Sequence, residues 1–190
     1  MPPPNPIAVF RKFPKELFRV NSGRSINLRV WSPQRHSYDI LTDKGLVEAK
    51  ALNPLSYAKL ARLNRILAPN GASMRPNSPY QQSLVSWRFR GSAVIVYSVP
   101  EANYRRDAYP NANNRGKGTR LPDDLLLVHE RSDHYSLQPA IPMTIGGKFS
   151  CIYLNARMTE FFRANAKEFT REEWLEAYPK ATESSQFHQS

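Results

Sequence analysis

The sequence contains little cysteine and begins without a long apolar run, and these two shortages exclude several classes of protein. Its 190 residues include a single cysteine, Cys151, so an internal disulfide framework and a cysteine-rich metal site are both excluded. The opening residues, MPPPNPIAVFRKFPKELF, hold no apolar run long enough for a signal peptide or a membrane span. We therefore expect a soluble protein that has no signal peptide and no membrane partner and that acts in the cytoplasm.

Acidic residues are also scarce, because 16 Asp and Glu stand against 27 Lys and Arg and leave a net charge of +11. Such an excess attracts phosphates and nucleic acids. The sequence shows no paired carboxylates, no nucleophile-elbow serine and no Cys–His pair of a recognised spacing. An enzyme with this inventory relies on Arg, His, Ser and Tyr, which hold phosphates and hydroxyls.

The apolar pattern predicts an α+β fold. Alternating or continuous apolar runs predict strands at 17–20, 26–30, 84–89, 93–99, 125–128, 135–139 and 149–154. Helices are predicted at 53–68, which Asn53 caps, at 158–169, and after the capping box of Thr170 and Glu173. We divide the chain into a flexible proline-rich arm (1–12), a single domain (13–180) and a polar tail (181–190).

Two loops and one charged turn are candidates for function. The segment from Gly71 to Tyr80 contains two prolines, which exclude a continuing helix, so we expect an irregular polar loop there. The segment 101–120 combines five Lys and Arg with two tyrosines and has almost no core-forming residues. In the turn, His129 and His134 can each act as an acid, a base or a phosphate ligand. A metal site is not expected, because one hairpin turn cannot aim enough ligands at one ion.

Several segments in this order resemble the fungal branch of the Tse-type ADP-ribosyltransferase-like toxins, a family first met among bacterial type VI secretion effectors. The resemblance covers roughly residues 13–165, and each motif is weak when it stands alone. The segments are Phe18-Arg19-Val20-Asn21, the loop Pro69-Asn70-Gly71-Ala72-Ser73-Met74-Arg75-Pro76-Asn77-Ser78-Pro79, Leu121-Pro122-Asp123-Asp124-Leu125, and His134-Tyr135-Ser136-Leu137-Gln138-Pro139-Ala140-Ile141-Pro142-Met143.

The resemblance implies a core of two small antiparallel sheets, split around an NAD cleft and flanked by helices. It implies a cytotoxic glycosyltransferase that uses NAD as its substrate and no metal. The enzyme would release nicotinamide and pass ADP-ribose to an acceptor, for which protein, nucleic acid and small molecules all stay open. Bacterial toxins of this type also have an immunity protein as a partner.

The resemblance also implies roles for individual residues. Arg19, on the first core strand, would hold the dinucleotide, because a guanidinium grips pyrophosphate in a bidentate manner. Four residues of the proline-rich loop would line the cleft: Ser73, Arg75, Ser78 and Tyr80. Of the two serines we favour Ser78 as the group that positions the ribose, and Tyr80 would stack on the nicotinamide.

The late strand of better-known ADP-ribosyltransferases offers a glutamate, and here that strand reads His134-Tyr135-Ser136-Leu137-Gln138. Gln138 would hold a ribose hydroxyl but could not act as a base. His134 or Glu130 would then take the catalytic role of the missing glutamate, and we favour His134 as the group that orients or deprotonates the acceptor.

Two other functions remain open at this point. A metal-independent ribonuclease toxin would use His134, Arg131 and the basic 101–120 loop in general acid–base cleavage of RNA. A non-catalytic nucleic-acid-binding module would rest on the charge of +11 and on the cluster from Tyr104 to Arg106.

Overall fold

The structure is a computed structural model that describes residues 6–34, 37–42, 46–53, 68–102, 119–144 and 150–183. These residues form nine strands and three α-helices. The first helix runs directly into a π-helical turn, Leu84–Arg88. The elements are β1 Ala8–Phe10, β2 Leu17–Ser22, β3 Leu46–Val47, β4 Ala72–Met74, α1 Pro79–Ser83, β5 Val94–Val99, β6 Leu125–Arg131, β7 His134–Pro139, β8 Met143–Thr144, α2 Ser150–Asn165, β9 Lys167–Thr170 and α3 Arg171–Ala177.

The strands form two main antiparallel sheets, in the orders β1-β6-β7-β4 and β2-β5-β9, and β3 pairs with β8 in a small ribbon. The predicted α+β class with a split antiparallel sheet is therefore confirmed. The strands predicted at 93–99, 125–128 and 135–139 are present as β5, β6 and β7, because their apolar and β-branched residues pack on a core. None of the helices in the described residues is long and apolar enough to cross a membrane.

The two main sheets meet edge to edge at one pair of residues. The amide of Phe18 donates to the carbonyl of Arg75 (2.6 Å), and the amide of Arg75 donates back to Phe18 (2.9 Å). Beyond this bridge β2 and β4 diverge, since they belong to different sheets. The fold therefore opens a cleft between the end of β2 and the strand β4.

Strand β4 can approach β7 closely only because Gly71 precedes it. A Cβ at this position would lie 2.0 Å from the carbonyl oxygen of Leu137, which is a backbone atom and cannot move aside cheaply. The prediction of an irregular loop from Gly71 to Tyr80 is wrong at both ends. Ala72–Met74 is a strand, and Pro79 begins α1, since proline suits the first position of a helix.

Three predicted strands are not strands. Residues 26–30 are extended, and Ile26 and Leu28 are buried, but their amides donate to Thr159 and Asn155 of α2 rather than to another strand. Residues 84–88 are the π-helical turn, because the helix begun at Pro79 continues through them.

The predicted strand at 149–154 falls largely inside α2, where Met158, Phe161 and Phe162 show the predicted helical spacing. The helix ends at Asn165, earlier than predicted, and Phe169 lies in β9 instead. The capping box of Thr170 and Glu173 is confirmed at the start of α3.

The first strand lies inside the segment 1–12 that the sequence assigned to a flexible arm. Ala8–Phe10 pairs antiparallel with β6, and Phe10 packs against the core. Three residues are within the usual length range of a strand, so the last part of the predicted arm lies at the edge of the sheet. Four predicted features lie wholly or mostly outside the residues that the structure describes. They are residues 54–67 of the predicted helix, 103–118 of the basic loop, 184–190 of the tail, and His36.

Candidate active site

The cleft between the two sheets contains two neighbouring cavities, of about 430 Å³ and about 210 Å³. The larger one lies along β2 and α1, and the smaller one lies over the cleft face of β6 and β7. Arg29, Asp39 and Ser73 line both cavities. The two cavities are therefore parts of one elongated site, with these three residues at its waist.

Arg19 places a buried positive charge in the larger cavity. Arg19 lines this cavity and is only 7% exposed, and its Nε has no hydrogen-bond partner. One terminal nitrogen donates to the carbonyl of Ser73 at 3.2 Å, and no carboxylate among the described residues forms an ion pair with the guanidinium. Burial lowers the pKa of Arg19, and the more distant charge of Asp39 opposes this shift only in part. A buried guanidinium with a free donor is suited to bind an anion.

Gln81 adds a second free donor to the same cavity, and the sequence analysis missed it. It is 1% exposed, lines the larger cavity and has a side-chain nitrogen without a partner. It lies in the first turn of α1, whose N-cap Ser78 accepts a hydrogen bond from the Gln81 amide. No sequence signal separates Gln81 from its polar neighbour Gln82, since only the packing of α1 buries one of them.

The waist of the cleft is held by an ion pair that the sequence analysis also missed. Arg29 binds Asp39 through two side-chain contacts, of 2.9 Å and 3.2 Å, and its amide donates to the same carboxylate at 2.9 Å. The hydrogen bond to Asp39 raises the pKa of Arg29. The pair is well formed and fixes the wall that both cavities share.

Three side chains from three adjacent strands form a chain of contacts in the smaller cavity. Ser73 of β4 lies with its Oγ 3.0 Å from Nε2 of His134 on β7, and Nδ1 of His134 lies 3.0 Å from Glu130 Oε2 on β6. With the imidazole proton on Nδ1, towards the carboxylate, Nε2 can accept a hydrogen bond from the serine hydroxyl. His134 is thereby oriented as a base towards the cleft.

Glu130 remains ionised in this arrangement. Burial alone would raise its pKa, but the hydrogen bond from His134 and the charge of Lys50 outweigh burial and leave the pKa below its ordinary value. Lys50 Nζ lies 3.4 Å from the carboxylate. Burial in turn lowers the pKa of Lys50, against the attraction of Glu130. A carboxylate of β6 therefore lies beside His134 of β7, a strand that itself contains no glutamate.

Gln138 lies on the same face of β7 but is occupied by the protein itself. Its side-chain nitrogen donates to the carbonyl of Pro69 and to Ser136 Oγ, both at 2.7 Å, and its oxygen accepts from the amide of Lys50 at 2.8 Å. It is fully buried. Gln138 therefore holds neighbouring strands and loops in place around Glu130.

Of the two candidate serines, Ser73 is the one that lines the cleft. Ser78 is the N-cap of α1, and its hydroxyl donates to Asp133 at 2.5 Å while it accepts the Gln81 amide at 3.1 Å. The sequence could not separate the two, because both lie within the same ten residues, which contain two prolines and one glycine. Their roles differ because one lies in a strand and the other caps a helix.

Arg75 and Tyr80 line the outer part of the larger cavity. The guanidinium carbon of Arg75 lies 4.6 Å from the centre of the Tyr80 ring, and its Nε lies 3.7 Å from Asp133. Burial lowers the pKa of Arg75, and Asp133 opposes the shift. Tyr80 is 41% exposed, so its ring forms part of the mouth of the cavity.

His129 lies on the opposite face of the hairpin from His134. Its ring stacks on Tyr135 at 4.1 Å, and Tyr135 neighbours His134 on the strand and so points to the other side. The two histidines therefore cannot act on one bound group. Among the described residues, no three His, Cys, Asp or Glu are grouped so that they could hold a metal ion.

The family model of the Tse2 ADP-ribosyltransferase toxin matches residues 15–174. A comparison with curated proteins and one with solved structures found no match. The matched region includes every cleft residue described above. The chain therefore belongs to the Tse2 ADP-ribosyltransferase toxin family.

Proposed function

We propose that the protein is a toxin-like enzyme that transfers ADP-ribose from NAD to an intracellular acceptor and releases nicotinamide. The observation that carries the proposal is Arg19, a buried guanidinium that lines the cavity between the two sheets and has no carboxylate partner among the described residues. The diphosphate of NAD carries two negative charges, which would pair with the positive charge of Arg19. Family membership supports the reaction class, and the fungal branch stays a prediction.

The donors of the larger cavity fit the dinucleotide. Arg19 would bind its diphosphate, and the free amide of Gln81 would hold a second polar group of the same molecule. Tyr80, at the mouth, would stack on the nicotinamide ring in place of one of the two guanidinium groups that lie against its own ring. With Arg29 occupied by Asp39, the waist presents a neutral pair and leaves Arg19 as the anchor.

The groups of the smaller cavity fit the chemical step. The reaction breaks the bond between nicotinamide and ribose, and a positive charge develops at the ribose carbon. The ionised carboxylate of Glu130 stabilises positive charge in this part of the cleft, and Ser73 holds a ribose hydroxyl. His134, with Nδ1 held by Glu130, accepts the proton of the acceptor at Nε2 once Ser73 has turned towards the ribose.

The test is titration calorimetry with NAD, followed by transfer of labelled ADP-ribose to lysate. We expect Arg19→Ala to weaken NAD binding by about tenfold or more, because a hydrogen bond to a charged group contributes about 1.5–3 kcal/mol. Arg24→Ala is the matched control, since Arg24 is exposed and pairs with Glu168 away from the cleft. Equal NAD affinity in Arg19→Ala and the wild type, or no labelled product, would contradict the proposal.

Cytotoxic action in the cytoplasm and an immunity partner are two further predictions. Growth of a sensitive host that expresses the wild type or Arg19→Ala, read together with ADP-ribose incorporation, tests cytotoxic action in the cytoplasm. An immunity partner would be found as a protein that restores growth. The ribonuclease alternative predicts RNA cleavage without NAD, which His134→Ala would abolish.

A further inference from the structure

A row of alternating arginines and aromatic rings leads from the larger cavity to the protein surface. The guanidinium of Arg75 lies 4.6 Å from the Tyr80 ring, that of Arg88 lies 5.1 Å from the same ring, and Arg88 also lies 5.4 Å from the ring of Trp87. We call these four residues the stacking ladder. Its inner end lines the cavity, and its outer end, Trp87, is 55% exposed.

The outer end of the ladder is presented by a rigid and unusual turn. In the π-helical turn the amide of Phe89 donates to the carbonyl of Leu84 at 2.9 Å, and Val85 points inward and is fully buried. Arg171 clamps the turn from outside, because its guanidinium donates to the carbonyls of Val85 (2.8 Å) and Ser86. π-Helical turns are rare and occur frequently at functional sites. The backbone that carries the exposed indole is therefore fixed by hydrogen bonds.

The chain segment that carries the ladder contains basic residues but no acidic ones. From Ala49 to Pro100 the sequence contains seven Lys and Arg and no Asp or Glu. Two of these arginines, Arg88 and Arg90, are exposed on either side of Phe89, which is itself 40% exposed. Asp133 pairs with Arg75 at the inner end of the ladder, and Glu172 pairs with Arg171 beside the turn. The outer end therefore carries positive charge beside exposed rings.

We propose that the surface formed by Trp87, Arg88, Phe89 and Arg90 binds single-stranded nucleic acid and delivers it to the cleft as the acceptor of ADP-ribose. This inference rests on the proposed transferase function. Flat exposed rings stack on bases whatever their sequence, and neighbouring guanidinium groups bind the phosphates between them. The ladder would seat the first base on Trp87 and lead the strand towards Tyr80 and the cavity.

A lipid surface fits this arrangement less well. A helix that lies in a membrane interface has one continuous apolar face and a separate charged face. Here the turn is five residues long, its apolar residue Val85 points into the protein, and the arginines stack directly on the exposed rings. Aromatic and charged groups are interleaved, as in surfaces that bind single strands.

The transfer step on such an acceptor balances without a further reactant. The bond between the ribose C1′ of NAD and the nicotinamide nitrogen breaks, and its electron pair leaves with nicotinamide. C1′ then bonds to a nucleophilic nitrogen of a base, and the proton of that nitrogen passes to Nε2 of His134. The products are nicotinamide and ADP-ribosylated nucleic acid.

The experiment measures fluorescence anisotropy of labelled single-stranded RNA and DNA oligonucleotides with the full-length protein. The double variant Trp87→Ala/Arg90→Ala should bind them about tenfold or more weakly than the wild type, because base stacking and phosphate contacts are lost together. The matched control is Tyr153→Ala/Arg24→Ala, which removes an equally exposed tyrosine and arginine away from the ladder. Binding by the wild type and by the control should fall steeply between about 50 and 200 mM salt.

Two further readouts separate this inference from the proposed function. Nicotinamide release without an acceptor should be unchanged in Trp87→Ala/Arg90→Ala, while label transfer from NAD to the oligonucleotide should fall. If NAD is not bound by the wild type, the transferase proposal fails, whereas anisotropy still decides whether the surface binds nucleic acid. Oligonucleotide binding that the double variant retains would overturn the inference. The inference would also be overturned if the protein bound vesicles of phosphatidylserine and phosphatidylcholine through Trp87 and did not bind the oligonucleotides.

Discussion

The hairpin of β6 and β7 has two buried faces of different chemical character. One face carries Leu125, Leu127 and Leu137, which are fully buried in the largest apolar cluster. The other face carries a small apolar cluster that includes Leu126 and Val128 and, beside it, four polar residues joined by hydrogen bonds and charges: Glu130, His134, Ser136 and Gln138. Burying polar groups is unfavourable unless each finds a partner. The core face stabilises the fold, and the cleft face uses that stability to hold reactive groups in position.

Loss of the base on the cleft face should have the largest effect. His134→Gln keeps hydrogen-bonding groups near Ser73 and Glu130 but cannot take up a proton, so we expect ADP-ribose transfer to fall by about 10²–10⁴-fold. The measurement is the rate of labelled product formation at saturating NAD. His129→Gln, on the other face, is the matched control and should keep its activity. A similar loss in both variants would break the distinction between the faces.

Loss of packing on the core face should have the second-largest effect, and it should lower stability rather than activity. Leu127→Ala should lower the free energy of unfolding by about 2–5 kcal/mol, because it leaves a cavity in a fully buried cluster. Urea unfolding followed by tryptophan fluorescence measures this change. The activity of the folded fraction should stay close to that of the wild type, since Leu127 does not reach the cleft. A stable but inactive Leu127→Ala would contradict the division of roles.

The carboxylate of the cleft face should contribute to stability in a pH-dependent manner. The pKa of Glu130 in the folded protein lies below its ordinary value of 4.5. Its contribution is therefore complete above the unfolded pKa and is lost as the pH falls through the lower folded pKa. Glu130→Gln should lower the free energy of unfolding by about 1–3 kcal/mol at pH 7, because it removes the buried negative charge that pairs with Lys50 and lies beside His134.

The difference between Glu130→Gln and the wild type should shrink below about pH 4.5. Urea unfolding at a series of pH values tests this. Glu172→Gln is the matched control, since its carboxylate is 77% exposed and should show little change. A difference that grows on acidification would contradict the assignment of Glu130 as an ionised group.

The smallest effect should come from the imidazole on the core face. His129→Gln loses the stacking on Tyr135 and should lower the free energy of unfolding by about 0.5–1.5 kcal/mol. Thermal unfolding measures the change. A larger loss would indicate that the rim of the core depends on His129 more than its exposed position suggests.

The sequence predicted the hairpin well and the cleft only in part. Alternating apolar residues indicate which strands exist, and Leu125, Leu127 and Leu137 lie on the core face as the period of two requires. His134 and Glu130 were also predicted as site residues. Their contact was not, because a β-bulge after His129 shifts the register and brings Glu130 towards His134.

Local pattern was least informative where tertiary contacts decide the backbone. The run 84–89 alternates like a strand, yet the cap at Ser78 and the clamp by Arg171 make it helical. Residues 26–30 have the burial pattern of a strand but bond to side chains of α2. The buried Gln81 and the pair Arg29–Asp39 depend on contacts that no local spacing reveals. These are also residues that give the cleft its shape.

The clamp by Arg171 has a consequence for when the protein becomes active during its own synthesis. The three-stranded sheet joins β2, near the start of the chain, to β9, near its end, and Arg171 follows β9 directly. A nascent chain that has not yet extended past residue 171 lacks the third strand and the clamp that holds the turn beside the cavity. We therefore expect the cleft to reach its working form only after residue 171 and the strand before it have been synthesised.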